Sequence, residues 1–177
     1  MVASNTTPRV GSLRPSQLIF TFGVGSVVDL PGFSAVVAGL DQWDDTFQQP
    51  LTEERLLAAV QAQKGDHIRR LLKAPWEAET RNPFDRWAFV GVPVLPFPRW
   101  LRCTGCNRLA PVESRLFTFK SNPYRPHLAH YEHVGCPRRT RPPHAVAARF
   151  AIACPAGHLD DFPWSEFCHH AAPCSGK

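Results

Sequence analysis

Residues 102–108 read RCTGCNR, with Cys103 and Cys106 two residues apart and Gly105 between them. A C-x2-C pair lets one ion take both sulfurs, and a glycine inside it frees the backbone to turn sharply. A structural zinc ion wants four ligands in a tetrahedron, so a second pair is needed. Residues 133–136, HVGC, offer one: His133 and Cys136 have the same spacing, with Gly135 in the same relative place. The result is C-x2-C…H-x2-C across twenty-six intervening residues, a zinc-ribbon-like pattern. A competing set replaces His133 with Cys154, giving four cysteines. The bland alternative is a group of free buried thiols, which pack as small hydrophobes.

Further on, residues 153–164 read ACPAGHLDDFPW. Cys154 and His158 are further candidate ligands, and with Cys168, His169, His170 and Cys174 they outnumber the four places of a second site. His158 beside Asp160 and Asp161 also admits a small metal-dependent hydrolase or nuclease. There is no HExxH, and the order of cysteines and histidine is not that of a zinc deaminase. Asp160 or Asp161 capping a helix that begins near Pro163 explains the carboxylates more simply. No GxxxxGK[ST] occurs, and the GVG at residues 23–25 lacks the third glycine of a dinucleotide fingerprint. No small-molecule substrate site is evident.

Charge is unevenly spread. Between Arg99 and Arg149 ten Lys or Arg face two acids, Glu113 and Glu132, a net +8 that leaves −3 for the rest of a chain whose total is +5. A basic block overlapping the cysteines suits a polyanion such as DNA, held weakly and without sequence preference, with Arg102, Arg108, Arg138, Arg139 and Arg141 as contacts. A solvated basic face would look the same. The chain shows neither a secretory leader nor a membrane-length apolar run, so a cytoplasmic location is expected. In a reducing compartment six cysteines read as metal ligands sooner than as disulfides.

The expected fold class is α+β, a short N-terminal α/β part followed by a β-rich, zinc-ribbon-like part. Residues 1–14 read as a disordered tail, 15–95 as the α/β part, and 96–177 as the cysteine-rich, basic, zinc-binding part, which looks truncated at its end. Eighteen prolines predict many loops and short elements. A short helix is expected from Pro15 or Ser16, and a hairpin around Pro31-Gly32. A helix capped by Thr52 should run to a stop at Gly65, with a second amphipathic helix in DHIRRLLKA, residues 66–74. Strands are expected in ESRLFTFK, HLAHYEHV and AARFAIAC.

Three stretches together, RPSQLIFTFGVGSVVDLPG (14–32), FPRWLRCTGCNRLAP (97–111) and ARFAIACPAGHLDDFPW (148–164), resemble the N-terminal region of the DrmB family, a core subunit of the DISARM anti-phage defence system. The resemblance implies a subunit without catalytic activity of its own that partners DrmA, a helicase. It also implies a longer chain with a C-terminal region akin to the MrfA-like zinc-binding domain, and points to Cys103, Cys106, Cys136, Cys154 and His158.

Overall fold

A computed structural model describes residues 8–170 and 172. The fold is α+β, with a few short helices and mostly antiparallel sheet. In chain order the elements are α1 (Pro15–Phe20), β1 (Val27–Leu30), β2 (Phe33–Val37), α2 (Glu54–Lys64), β3 (Val94–Pro96), β4 (Trp100–Cys103), β5 (Leu109–Pro111), β6 (Thr118–Lys120), β7 (His130–Glu132), β8 (His144–Ala147), β9 (Ala151–Ala153), β10 (Leu159–Asp161) and α3 (Trp164–His169). The strands are three to five residues long, as frequent prolines require, since each removes a ladder donor. The chain divides into two compact units. Among the described residues, one comprises those before Asp29, Val36–Leu95 and Ser121–Leu128; the other comprises Asp29–Ala35, Pro96–Lys120 and those from Ala129 onward.

The expected tail falls partly on residues 1–7, which lie outside the described residues. From Pro8 onward the backbone has a place: Arg9 pairs with Glu79 at 3.2 Å and stands over the Trp87 ring at 5.1 Å. Helix α1 starts at Pro15, where the missing N–H costs nothing, and the Gln17 side chain accepts the Arg14 amide. Helix α2 begins two residues past Thr52. Its N-cap is Glu53, no side chain caps it, and it stops at Gly65, whose φ of 106° ends the helical path.

The expected second helix at 66–74 does not form. Leu51 N–H donates to the Leu71 carbonyl and Lys73 N–H to the Gln49 carbonyl, with Pro50 and Leu72 bridged. Extended backbone at 49–51 thus supplies the partners a helix would have supplied itself, and the helix pair of a DNA-reading motif is absent from this stretch. Pro31 and Gly32 join β1 to β2 as expected, and β1, β2 and β3 are hydrogen-bonded in that order.

The second unit is built on a five-stranded antiparallel sheet in the order β5-β4-β8-β7-β6. Leu101, at the middle of the sheet opposite Ala110 and Ala147, is 1% exposed. Around it Ala145, Ala148, Phe117 and Tyr131 are buried. Phe33, Phe119 and Tyr131 close an aromatic triangle with centroids 5.0–5.7 Å apart, the geometry the ring quadrupoles favour. A side chain at Gly32 would strike the Ala129 carbonyl oxygen, so the turn there has room for glycine alone.

Strands β9 and β10 form a separate hairpin with Leu159 opposite Ala153 and Asp161 opposite Ala151. Neither Asp160 nor Asp161 caps α3. Its N-cap is Pro163, with no side-chain cap. Asp161 is 8% exposed, and its carboxylate accepts the Arg99 backbone N–H at 2.7 Å and the Arg99 Nε–H at 2.8 Å. A buried carboxylate goes where it can be satisfied, and two donors sixty-two residues away outcompete the helix start.

Candidate metal centre

Cys103 is the last residue of β4, His133 follows β7 by one residue, and β8 lies between these strands. The entry to β8 holds both ligand loops: Thr104 N–H and Oγ1 donate to the His144 carbonyl, at 3.0 and 2.8 Å, and His133 N–H donates to the Pro143 carbonyl at 2.9 Å. One strand therefore brings the two halves of the C-x2-C…H-x2-C pattern to the same sheet end. Cys103, Cys106, His133 and Cys136 converge there, with one ligand atom from each and all four within 4.8 Å of one another.

Individual distances can be compared with those an ion would impose. Tetrahedral zinc, with Zn–S near 2.3 Å and Zn–N near 2.0–2.1 Å, separates two sulfurs by about 3.8 Å and a sulfur from a nitrogen by about 3.6 Å. The Cys103 and Cys136 sulfurs are 3.9 Å apart, and Cys106 Sγ is 3.4 Å from His133 Nδ1. Both are edges of the right length. The quartet can hold a metal ion, and three sulfurs with one imidazole are a donor set that zinc accepts.

The loops are shaped for this. Gly105 and Cys106 direct their backbone N–H groups at Cys103 Sγ, at 3.3 and 3.4 Å, which favours a thiolate there. A side chain on Gly105 would meet Arg139, Pro143 and the Cys136 sulfur, so its glycine is demanded by the close approach of the other half-site. The left-handed turns fall at Asn107, φ 61°, and Gly135, φ 73°. Phe117 packs edge-on against the His133 ring at 5.7 Å and fixes its plane.

Burial pushes the Cys103 thiol up, but hydrogen bonds from the Cys106 amide, His133, the Gly105 amide and the Cys106 side chain outweigh it, and the thiol titrates at about 6. Cys136 is shifted upward, first by burial and then by the neighbouring Cys106 and Cys103 sulfurs, against the Arg138 amide. Cys103 and His133 are 0% and 2% exposed, and Cys136 is 6%, so an ion here would be shielded, as structural ions are.

The other candidates lie apart. Cys154 and His158 bracket the β9–β10 turn, with Gly157 at φ 86°, and Cys154 Sγ is 3.3 Å from His158 Nδ1. Both are exposed, and no third ligand joins them among the described residues. Cys154 therefore stands outside the buried quartet, and His133 supplies its fourth ligand atom. Cys168, His169 and His170 are exposed on or just after α3, and Cys174 lies outside the described residues. Arg102, Arg108, Arg138, Arg139 and Arg141 are all exposed, and none forms an ion pair among the described residues. Arg102 does donate to Asn107 Oδ1 at 2.7 Å. Sequence reasoning missed the Pro143 and His144 carbonyls and the Arg99–Asp161 latch, because neither carries a local signal. No helix among the described residues is long and apolar enough to cross a membrane.

Compared with known proteins, the family described as "Domain of unknown function (DUF8724)" matches residues 14–177. A curated relative named "DISARM protein DrmB", from Bacillus paralicheniformis, is 31% identical over 93 residues, 49% of this chain and 14% of that protein. The likeness supports a DrmB-like relation for that part of the chain, which spans about one-seventh of the relative's length.

Proposed function

The chain belongs to the DUF8724 family, and on that premise we propose that it is a non-catalytic, zinc-stabilised accessory part of a DISARM-type anti-phage defence assembly. It works in the cytoplasm beside a DrmA-like helicase and helps hold DNA. The observation that carries this reading is the Cys103, Cys106, His133 and Cys136 quartet, buried but for the half-buried Cys106 and flanked in sequence by five exposed arginines without carboxylate partners among the described residues. The ion is zinc and its task is structural. Drawing its ligands from two loops, it replaces apolar core that three-residue strands cannot provide, and its binding energy becomes folding energy.

Arg138, Arg139 and Arg141 follow Cys136 closely, so the ion fixes the loop that presents them. Guanidinium groups free of carboxylate partners can meet phosphates without first breaking an ion pair. Binding is then independent of sequence and falls steeply with salt, because each neutralised phosphate releases counterions. A general-base role for Asp161 is disfavoured, because the carboxylate is buried and bound by two Arg99 donors, one of them cationic.

The test pairs metal content with DNA binding. Purified chain should carry one zinc, and Cys103→Ser should lose it. The Arg138→Ala, Arg139→Ala, Arg141→Ala triple variant should weaken duplex binding and flatten its salt dependence while keeping the zinc. Less than half a zinc per chain, with circular dichroism unchanged by chelator, would overturn the structural-metal reading. Unchanged duplex affinity in the triple variant would dismiss these arginines as the contact.

A further inference from the structure

A cleft of about 370 Å³ lies wholly within the first unit, lined by residues drawn from 8–12, 79–89 and 121–127. That volume falls in the range of small-ligand sites, about 300–1,000 Å³. Its interior is already satisfied: Trp87 Nε1 donates to Thr80 Oγ1 and the Asn82 carbonyl, and Arg9 is held by Glu79 and the Gly11 carbonyl. Its rim is not. Tyr124 is 71% exposed, and Phe84, 60% exposed, stands edge-on to it at 5.9 Å. Phe89, another lining residue, is 45% exposed.

The lining residues themselves carry one sign to spare, with Asp85 beside them held by Thr80 and Asn82. Arg81 lines the cleft, and Arg125 lies between Tyr124 and the lining Pro126; both are exposed and neither forms an ion pair among the described residues. Glu79, the acid of the lining, is already paired with Arg9. His127 adds a further nitrogen donor or acceptor. Asn122, whose side-chain oxygen accepts the Tyr124 amide, and the prolines at 123 and 126 stiffen the segment that carries the tyrosine. An exposed aromatic that is held in place, with one free guanidinium next to it in the chain and another in the same lining, is what an unpaired base and its flanking phosphates require.

We propose that this cleft takes single-stranded nucleic acid, with one base stacked on Tyr124 and the adjoining phosphates met by Arg81 and Arg125. A duplex keeps its bases stacked inside and offers none to Tyr124. The inference rests on the reading that the chain binds DNA and adds which form the first unit selects. The duplex contact proposed above uses arginines of the second unit, so the two claims fail separately.

The experiment measures fluorescence anisotropy of a labelled oligo-dT strand and of a duplex of equal length. Tyr124→Ala should weaken oligo-dT binding about tenfold, within the range of base–aromatic stacking, and leave duplex affinity unchanged. Tyr124→Phe should retain the affinity, because it keeps the ring face. Arg81→Ser with Arg125→Ser should lower the log–log salt slope for oligo-dT by about 0.7 for each phosphate no longer neutralised. No oligo-dT binding by the intact chain, or oligo-dT binding that Tyr124→Ala leaves unchanged, would overturn the proposal. So would a proline-rich peptide that binds in a Tyr124-dependent way and is not displaced by oligo-dT. Loss of duplex binding alone, in the Arg138, Arg139 and Arg141 variant, leaves the oligo-dT result standing in support.

Discussion

Asp161 allows the sharpest test of how the C-terminal hairpin is held. Its carboxylate, 7% exposed, accepts one backbone and one side-chain donor from Arg99, whose own side chain is 56% exposed. These two bonds are not equal. An exposed guanidinium deprived of Asp161 is rehydrated and keeps Glu113 at 3.7 Å, so losing that carboxylate costs the arginine at most about 1 kcal/mol. The part-buried Arg99 N–H has no such recourse, and leaving it unpaired costs about 1–3 kcal/mol.

Asp161→Ala should therefore destabilise by about 2–3 kcal/mol. Asp161→Asn retains an oxygen for the backbone N–H and should cost about 1 kcal/mol. Arg99→Ala keeps the backbone bond but leaves the buried carboxylate with one oxygen unpaired, and should cost about 1–3 kcal/mol. For a chain of this size about 1 kcal/mol moves the melting temperature by roughly 2–4 °C, so the alanine variant at 161 should melt roughly 4–12 °C lower. Differential scanning calorimetry, with the transition for each unit followed, reads the order directly. If Asp161→Asn costs as much as Asp161→Ala, the charge pair and not the backbone bond carries the latch, and the reasoning is refuted.

Three further outcomes follow from the geometry. Gly32→Ala forces a side chain onto the Ala129 carbonyl and should destabilise the second unit by more than the approximately 1 kcal/mol of an ordinary glycine substitution, as a urea titration would measure. Zinc retention should fall as pH drops from neutral toward acid, because every thiolate ligand then competes with a proton; a zinc-sensitive dye that shows no release in acid would contradict a thiolate site. Cys154→Ser should leave the buried ion in place and the melting temperature within about 1 °C, since an exposed residue away from the quartet supports neither; loss of zinc in that variant would place Cys154 among the ligands.

The sequence revealed the quartet through local spacing. Cys103 with Cys106, and His133 with Cys136, each sit in one tight loop, and a loop that holds two ligands advertises itself within a few residues. Choosing His133 over Cys154 was beyond spacing alone, because it depends on the register by which β8 draws the ends of β4 and β7 together. The α+β class was legible from alternating short runs and proline content. The stretch at 66–74 misled because its apolar periodicity is real, while the backbone partners at 49–51 that override it are remote. Asp161 misled for the same reason: an aspartate before Pro163 is good local evidence for a cap, and Arg99 is far away in sequence. The arginines near the cysteines were visible as composition, but their freedom from carboxylates was not.

The hold of β8 on both ligand loops would make an ion bound there a proofreader of strand alignment. A slip of one residue between β7 and β8 turns every side chain on β7 to the opposite face and swings the His133 loop out of reach of Cys103. A misregistered chain would then present at most one cysteine pair, which grips zinc far less tightly than four ligands do. Such a chain would stay empty and forgo the stabilisation that a bound ion would confer.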